Sequence, residues 1–273
     1  MKMIQLNKTS PDKPKDEVKL TVTDQSGAVV RELKGPKEAG LNRVVWDLRL
    51  NPPALPQEGK GGGGGFFGAP RGPRVQPGVY AIKIAAGDKT TTGNVTVQED
   101  PRIQIVEADR GKLNEGIMKA YALQKSAEGA RKTMQSLKTQ ITTLQNSLKD
   151  NSAVPKPVND SVQKVSDALA AIQKKLVNAP DTSGGAGPAL PDEPCPRPLL
   201  NQINGVANGL DSYTAAPTAD EFVRIDDLSK QLKDLLAELN KFIGEDVGNL
   251  NKQLRDSGLQ FLNPGKPVEP PPQ

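Results

Sequence analysis

A seam of apolar residues at helical spacing constrains this chain most. It runs through the second half as Met134, Leu137, Ile141, Leu144 and Leu148, then resumes as Val158, Val162, Val165, Leu169, Ile172 and Leu176. Steps of three and four residues hold these side chains on one helical face, and helices bury such faces against one another. Pro155 and Pro157 break the seam, since proline removes a backbone donor and ends a helix. The short break predicts an antiparallel pair, one helix over about 110–149 and a second to about Asn178. Asp109 is placed to cap the first. Leu199, Ile203, Ala207 and Leu210 mark a third helix. Thr218-Ala219-Asp220-Glu221 has the spacing of a capping box, and Phe222, Ile225, Leu228, Leu232, Leu235, Leu239 and Phe242 stripe a fourth. Gly244 is expected to interrupt or kink it, and Val247, Leu250 and Leu254 prolong the stripe. The reading is an antiparallel four-helix bundle over 101–258, with a Pro/Gly-rich linker at 179–198. A Pro-rich tail follows at 259–273, extended or disordered from Pro264.

The first hundred residues have a different period. Val18, Leu20 and Val22 alternate with Lys19, Thr21 and Thr23, the pattern of a half-buried strand. Asp24-Gln25-Ser26-Gly27 is a turn, and a second strand follows over 28–33. Val44, Trp46 and Leu48 fit one face of a third strand, Tyr80, Ile82 and Ile84 one face of a fourth, and Val95 and Val97 a fifth. Short strands between turn signals favour an antiparallel β-sandwich over 1–100, with a Gly-rich insertion at 51–77. The fold class expected is α+β with two domains, sandwich then bundle.

Composition removes whole classes of chemistry. The chain has no histidine, which excludes Ser-His-Asp and Cys-His catalysis and imidazole-bound zinc within it. Its one cysteine, Cys195, lies between Pro194 and Pro196, with no cationic helix terminus evident to activate the thiol. Acidic pairs such as Asp226-Asp227 and Glu245-Asp246 are adjacent in sequence and diverge by about 100° on a helix, so neither pair makes one site. No catalytic residue, metal or cofactor is expected, and the chain is read as not an enzyme. The formal charge is +4 with acids and bases interspersed, without the basic stripe or stacking aromatics of a nucleic-acid module. No stretch approaches the ~20 apolar residues of a membrane span.

Two features suggest binding. Phe66 and Phe67 end a run of glycines from Gly61 to Gly65. Two adjacent aromatics on a flexible insertion suit docking on a partner. The glycine run is not a phosphate loop, because Gly59-Lys60 is followed by Gly61 and not by Ser or Thr. Gly63, Gly65 and Gly68 match the dinucleotide string, but Pro70 and Pro73 follow and cannot open the required helix. Trp46 alternates in phase with Val44 and Leu48, which suits a core. The other reading makes Trp46 or Tyr80 a stacking platform for a glycan.

The segment Glu17–Asp24 with Gly27, then Val30-Arg31, Gly40-Leu41-Asn42-Arg43-Val44-Val45-Trp46-Asp47-Leu48-Arg49 and Pro77-Gly78-Val79-Tyr80, resembles the Ig-like domain of flagellar hook-capping proteins. More closely, it resembles the C-terminal region of bacterial sortilin-like, BNR-repeat "glycosyl hydrolase" proteins. Asp100-Pro101-Arg102, Ala216-Pro217-Thr218, Glu245-Asp246-Val247, Asn249-Leu250-Asn251 and Gly258-Leu259 stand in the matching order. The resemblance implies an exported, periplasmic or extracellular protein whose β-propeller precedes such a region. No propeller is present in this chain, so no propeller activity is carried over. The opening Met1–Asn7 has no apolar signal region, and a free-standing chain starting there would be cytoplasmic. The function expected is a non-catalytic structural or protein-interaction module, through a protein partner or self-assembly. The second candidate is a glycan-binding accessory module.

Overall fold

The structure, a computed structural model, describes residues 18–38, 40–53, 71–103, 105–149, 156–177 and 197–272. The chain is α+β and divides into two compact units, Met1–Gln104 and Ile105–Gln273. Phe66, Phe67 and Cys195 lie outside the described residues.

The first unit holds a four-stranded antiparallel sheet in the order β2-β1-β3-β4, built from β1 Val18–Thr23, β2 Val29–Gly35, β3 Gly78–Ala86 and β4 Lys89–Val97. Alternation sorts its two faces. Leu20 faces Leu33 and Ile84, Val22 faces Ile82, and Tyr80 faces Val95, which gathers the apolar side chains. Thr21 faces Glu32 and Lys83, and Lys83 faces Thr92, which gathers the polar ones. The register slips between Val22 and Thr23. This bulge places buried Val30 on the apolar side. Val22, Val30 and Tyr80 form the buried centre, and Trp46, Leu50 and Val75 pack against it.

Residues 41–47 form no strand. Leu48 adopts φ 56°, a left-handed conformation that side chains other than glycine resist, and it breaks the alternation expected through Val44, Trp46 and Leu48. Trp46 and Leu50 reach the core, while Leu48 stays exposed. A single bridge joins Arg49 to Arg74, with Leu50 N–H donating to Pro73 O at 2.9 Å and Val75 N–H to Leu48 O at 2.8 Å. Gly72 makes the approach possible, since a Cβ there would stand 2.2 Å from Leu50 O.

The second unit holds α1 Glu107–Lys149, α2 Lys156–Leu176, α3 Leu199–Leu210 and α4 Ala219–Phe242, which runs through a π turn, Ile243–Val247, into α5 Gly248–Asp256. Asp109 lies inside the first turn of α1, not at its cap. Pro157 lies inside the first turn of α2, where a missing N–H is tolerated. The capping box forms: Glu221 N–H donates to Thr218 Oγ1 at 3.3 Å, and Thr218 N–H to Glu221 Oε2 at 2.8 Å.

All the seam residues named from sequence are buried, from Met134 through Leu176. Their partners are less simple than four rods side by side. α1 meets α3 where Gln124 Nε2 donates to Asn204 Oδ1 at 2.9 Å, and α2 where Gln145 Nε2 donates to Gln163 Oε1 at 3.1 Å. α4 meets the same two in the same order, through Arg224 to Gln202 on α3 and Glu238 to Lys175 on α2. Helices α2 and α3 therefore follow one another along the same side, and α1 and α4 run in the same direction. The long connection after α2 permits this, because α3 need not fold back beside α2.

Along the fourth stripe the buried residues are Leu239, Phe242, Val247, Leu250 and Leu254. The step from Phe242 to Val247 is five residues. An α-helix would carry the later residues about 100° off the seam. The π turn absorbs that one extra residue, and Gly244 lies within it.

Candidate functional site

Trp46 and Tyr80 are brought together. Their rings meet edge to face, with centroids 5.4 Å apart and planes at 70°. Tyr80 is buried, and its hydroxyl donates to Gln76 O at 2.6 Å. Burial, and then the charge of Asp24, raises its pKa. Trp46 is half-buried and donates from Nε1 to Arg49 O at 3.0 Å. The pair thus has its polar atoms satisfied and serves the core of the first unit. Only Trp46 retains exposed surface.

The second unit holds its own C-terminal segment in a groove that no sequence motif announced. After α5, Gly258 takes φ +67°. Its N–H donates to Arg255 O at 3.0 Å, and Leu259 N–H to Leu254 O at 2.8 Å, the paired bonds of a Schellman motif. The chain reverses there and returns along the bundle as an extended segment. Three side-chain carboxamides hold it. Asn251 of α5 donates from Nδ2 to Leu262 O at 2.8 Å and accepts from Leu262 N–H at 2.7 Å. Gln140 of α1 donates from Nε2 to Asn263 O at 2.9 Å and accepts from Asn263 N–H at 2.7 Å. Asn240 of α4 donates from Nδ2 to Val268 O at 3.1 Å and accepts from Val268 N–H at 3.2 Å.

Each clamp has the same logic. In extended backbone, one residue's N–H and C=O point to the same side, and a carboxamide carries a parallel acceptor and donor. The match reads the backbone and its conformation, not the side chain. The spacing also closes. Asn251 to Asn240 spans eleven helical steps, roughly 16 Å at ~1.5 Å each. Leu262 to Val268 spans six steps, shorter than the roughly 19 Å of a fully extended run because Gly265 turns at φ +76° with its N–H on Asn263 Oδ1 at 3.1 Å. Pro264 and Pro267 between the clamps have no N–H to satisfy and pre-set the extended φ, so less entropy is lost on docking.

Apolar anchors complete the groove. Leu262 is 3% exposed and joins the bundle core, with Leu259 and Val268 packed beside it. Val268 comes close over Gly129 of α1, where a Cβ would stand 3.6 Å from Val268 Cγ1. The tail expected to be extended or disordered is extended and docked. Asn240 and Asn251 carried a faint sequence signal: asparagine is a poor helix former, yet both sit inside helices directly after a buried leucine.

Among the described residues no group of acids and cysteines is placed to hold a metal ion, and no helix is long and apolar enough to cross a membrane. No family model, no curated protein and no solved structure matches the chain.

Proposed function

We infer that this chain is a non-catalytic structural and protein-interaction module that engages extended polypeptide. The carrying observation is the groove along α1, α4 and α5, where three carboxamides hold the backbone of a proline-containing segment at Leu262, Asn263 and Val268. An apolar floor with two-point polar contacts is how a surface binds an extended chain with little regard to sequence. In this reading the first unit is an Ig-like sandwich, in which segments 46–51 and 71–75 serve as the second layer, and the helical unit is the bundle. The setting is an exported, periplasmic or extracellular assembly, on the strength of the motif resemblance alone. Phe66 and Phe67 belong to the proposal as a second contact, on the sequence ground given above.

The test uses the full chain with its own tail unseated. Leu262→Asp puts a charge on the buried anchor and leaves the groove residues intact. A fluorescent peptide of residues 259–272 should bind this variant saturably in an anisotropy titration. It should bind the added Asn240→Ala/Asn251→Ala variant at least tenfold more weakly. Equal binding by the two, or none by either with native circular dichroism, removes the reading. A glycan-binding module is favoured by one observation, the remaining exposed surface of Trp46. It requires quenching of Trp46 fluorescence by acrylamide to fall when glycan is added.

A further inference from the structure

The groove and its occupant are joined by a very short hinge. Ser257 and Gly258 alone separate the end of α5 from Leu259, whose N–H already caps the helix. The reversal depends on Gly258 at φ +67°, a conformation that costs an L side chain ~1–2 kcal/mol. If Gly258 took helical φ, α5 would extend by a turn and the tail would point away from its own groove. Nothing in the clamps distinguishes one copy of the tail from another, because Asn251, Gln140 and Asn240 contact only backbone N–H and C=O.

We propose that the groove along α1, α4 and α5 accepts the tail, from Leu259 onward, of a second copy of this chain, exchanged by opening of the Gly258 hinge to give a reciprocal dimer. The proposal rests on the reading of the bundle as a polypeptide-binding module. The occupant is fixed by the structure itself, since the segment seated in the groove is this chain's own and satisfies all three clamps and the Leu262 anchor. Exchange of an identical element makes every contact of the closed form twice over, so only the hinge and the tether separate the two states. A short tether gives the tail a local concentration in the millimolar range. The closed form therefore dominates in dilute solution, and the exchanged form wins where copies are held side by side.

The experiment uses full chains in a Cys195→Ser background, with a donor dye at Lys266→Cys in one population and an acceptor at Lys241→Cys in the other. Both positions are exposed. Mixed chains carrying Gly258→Ala should show intermolecular energy transfer and a dimer in light scattering. The dimer association constant should exceed that of the unaltered hinge by at least about thirtyfold, because two hinges open per dimer. Gly258→Asn should behave like the unaltered hinge, since asparagine tolerates the left-handed region. Adding Asn240→Ala/Asn251→Ala should abolish the transfer. A monomeric Gly258→Ala chain with native circular dichroism overturns the proposal, and so does a dimer indifferent to the clamp substitutions. If Gly258→Ala fails to fold, chains with the unaltered hinge at millimolar concentration decide the matter. Transfer that rises with concentration and needs the clamps supports exchange, and a flat response overturns it. Peptide binding to the Leu262→Asp chain without exchange between full chains overturns exchange alone and leaves the module reading standing.

Discussion

Replacing Asn251 by alanine removes one carboxamide and nothing else of substance. Two hydrogen bonds go with it, at 2.8 and 2.7 Å to the carbonyl and amide of Leu262. A net contribution of about 1 kcal/mol each gives about 2 kcal/mol. That is the cost if Leu262 stays seated and water reaches its freed backbone groups. Leu262 is only 3% exposed, and burying a leucine is worth about 1.5–3 kcal/mol. If the anchor leaves with the clamp, the loss rises to about 4 kcal/mol. The two outcomes separate in urea unfolding followed at the helical circular dichroism band. With the tail still docked, the midpoint falls and the slope m is unchanged. With the tail released, m falls too, because less surface is left to expose. In a melt, about 2 kcal/mol corresponds to roughly 4–8 °C for a unit of this size. Asn251→Asp is the informative companion. It keeps the acceptor for Leu262 N–H but sets a carboxylate oxygen against Leu262 O, so it should cost at least as much as alanine. Stability within about 0.5 kcal/mol of the parent for both variants, with m unchanged, would refute the clamp reasoning.

Four further predictions concern other parts of the molecule. Glu221 has its pKa lowered, first by Thr218 N–H and then by the Tyr213 hydroxyl, so its contribution to stability is present above the ordinary carboxylate range and is lost as pH falls through the depressed value. Glu221→Gln should flatten that acid limb. Burial, and then the bond to Glu221, pushes Tyr213 up to about 12, so the contribution of the neutral phenol is whole below about pH 10 and is lost as pH rises through about 12. Tyr213→Phe should delete the highest step of the tyrosinate absorbance titration. Deleting Gly244 removes the one extra residue, so the π turn should become regular α-helix with Leu250 and Leu254 still on the seam, and the urea midpoint should move little. A loss of several kcal/mol, as for a core residue turned out of the core, would contradict this account of the turn. Gly72→Ala should separate segment 48–51 from 73–75, because its Cβ would collide with Leu50 O. The readout is increased acrylamide quenching of Trp46, and unchanged quenching would contradict the packing described for the first unit.

How much of this the sequence carried depends on how local each signal was. The capping box was legible because its chemistry is its spacing: Thr218 and Glu221 meet in the first helical turn whatever surrounds them. The seam from Met134 to Leu176 was legible because period reports which face is buried. Period does not report which helix lies opposite, and so it did not disclose that α2 and α3 follow one another along α1. The π turn was half legible. Gly244 marked the place, but the five-residue step from Phe242 to Val247 was the stronger clue, since no α-helix keeps both on one seam. The strand expected through Val44, Trp46 and Leu48 failed on one backbone angle, the left-handed Leu48, a conformation that leucine gives no reason to expect. The groove was the least legible. Gln140 lies 123 residues from Asn263, and a carboxamide bonding backbone leaves no pattern of residue types behind. A proline-rich tail looks the same in sequence whether it is solvated or seated.

The central claim is that the tail sits in the groove by three two-point clamps, and site-resolved amide hydrogen exchange on the full chain tests it most directly. The account predicts slow exchange at Leu262, Asn263 and Val268, whose N–H groups are accepted by Asn251, Gln140 and Asn240, and fast exchange at the exposed Lys266 and Glu269 between and beyond them. Asn240→Ala should release Val268 and leave Leu262 protected. Uniformly fast exchange from Leu262 to Glu269 would contradict the account, because the tail would then be free of the bundle.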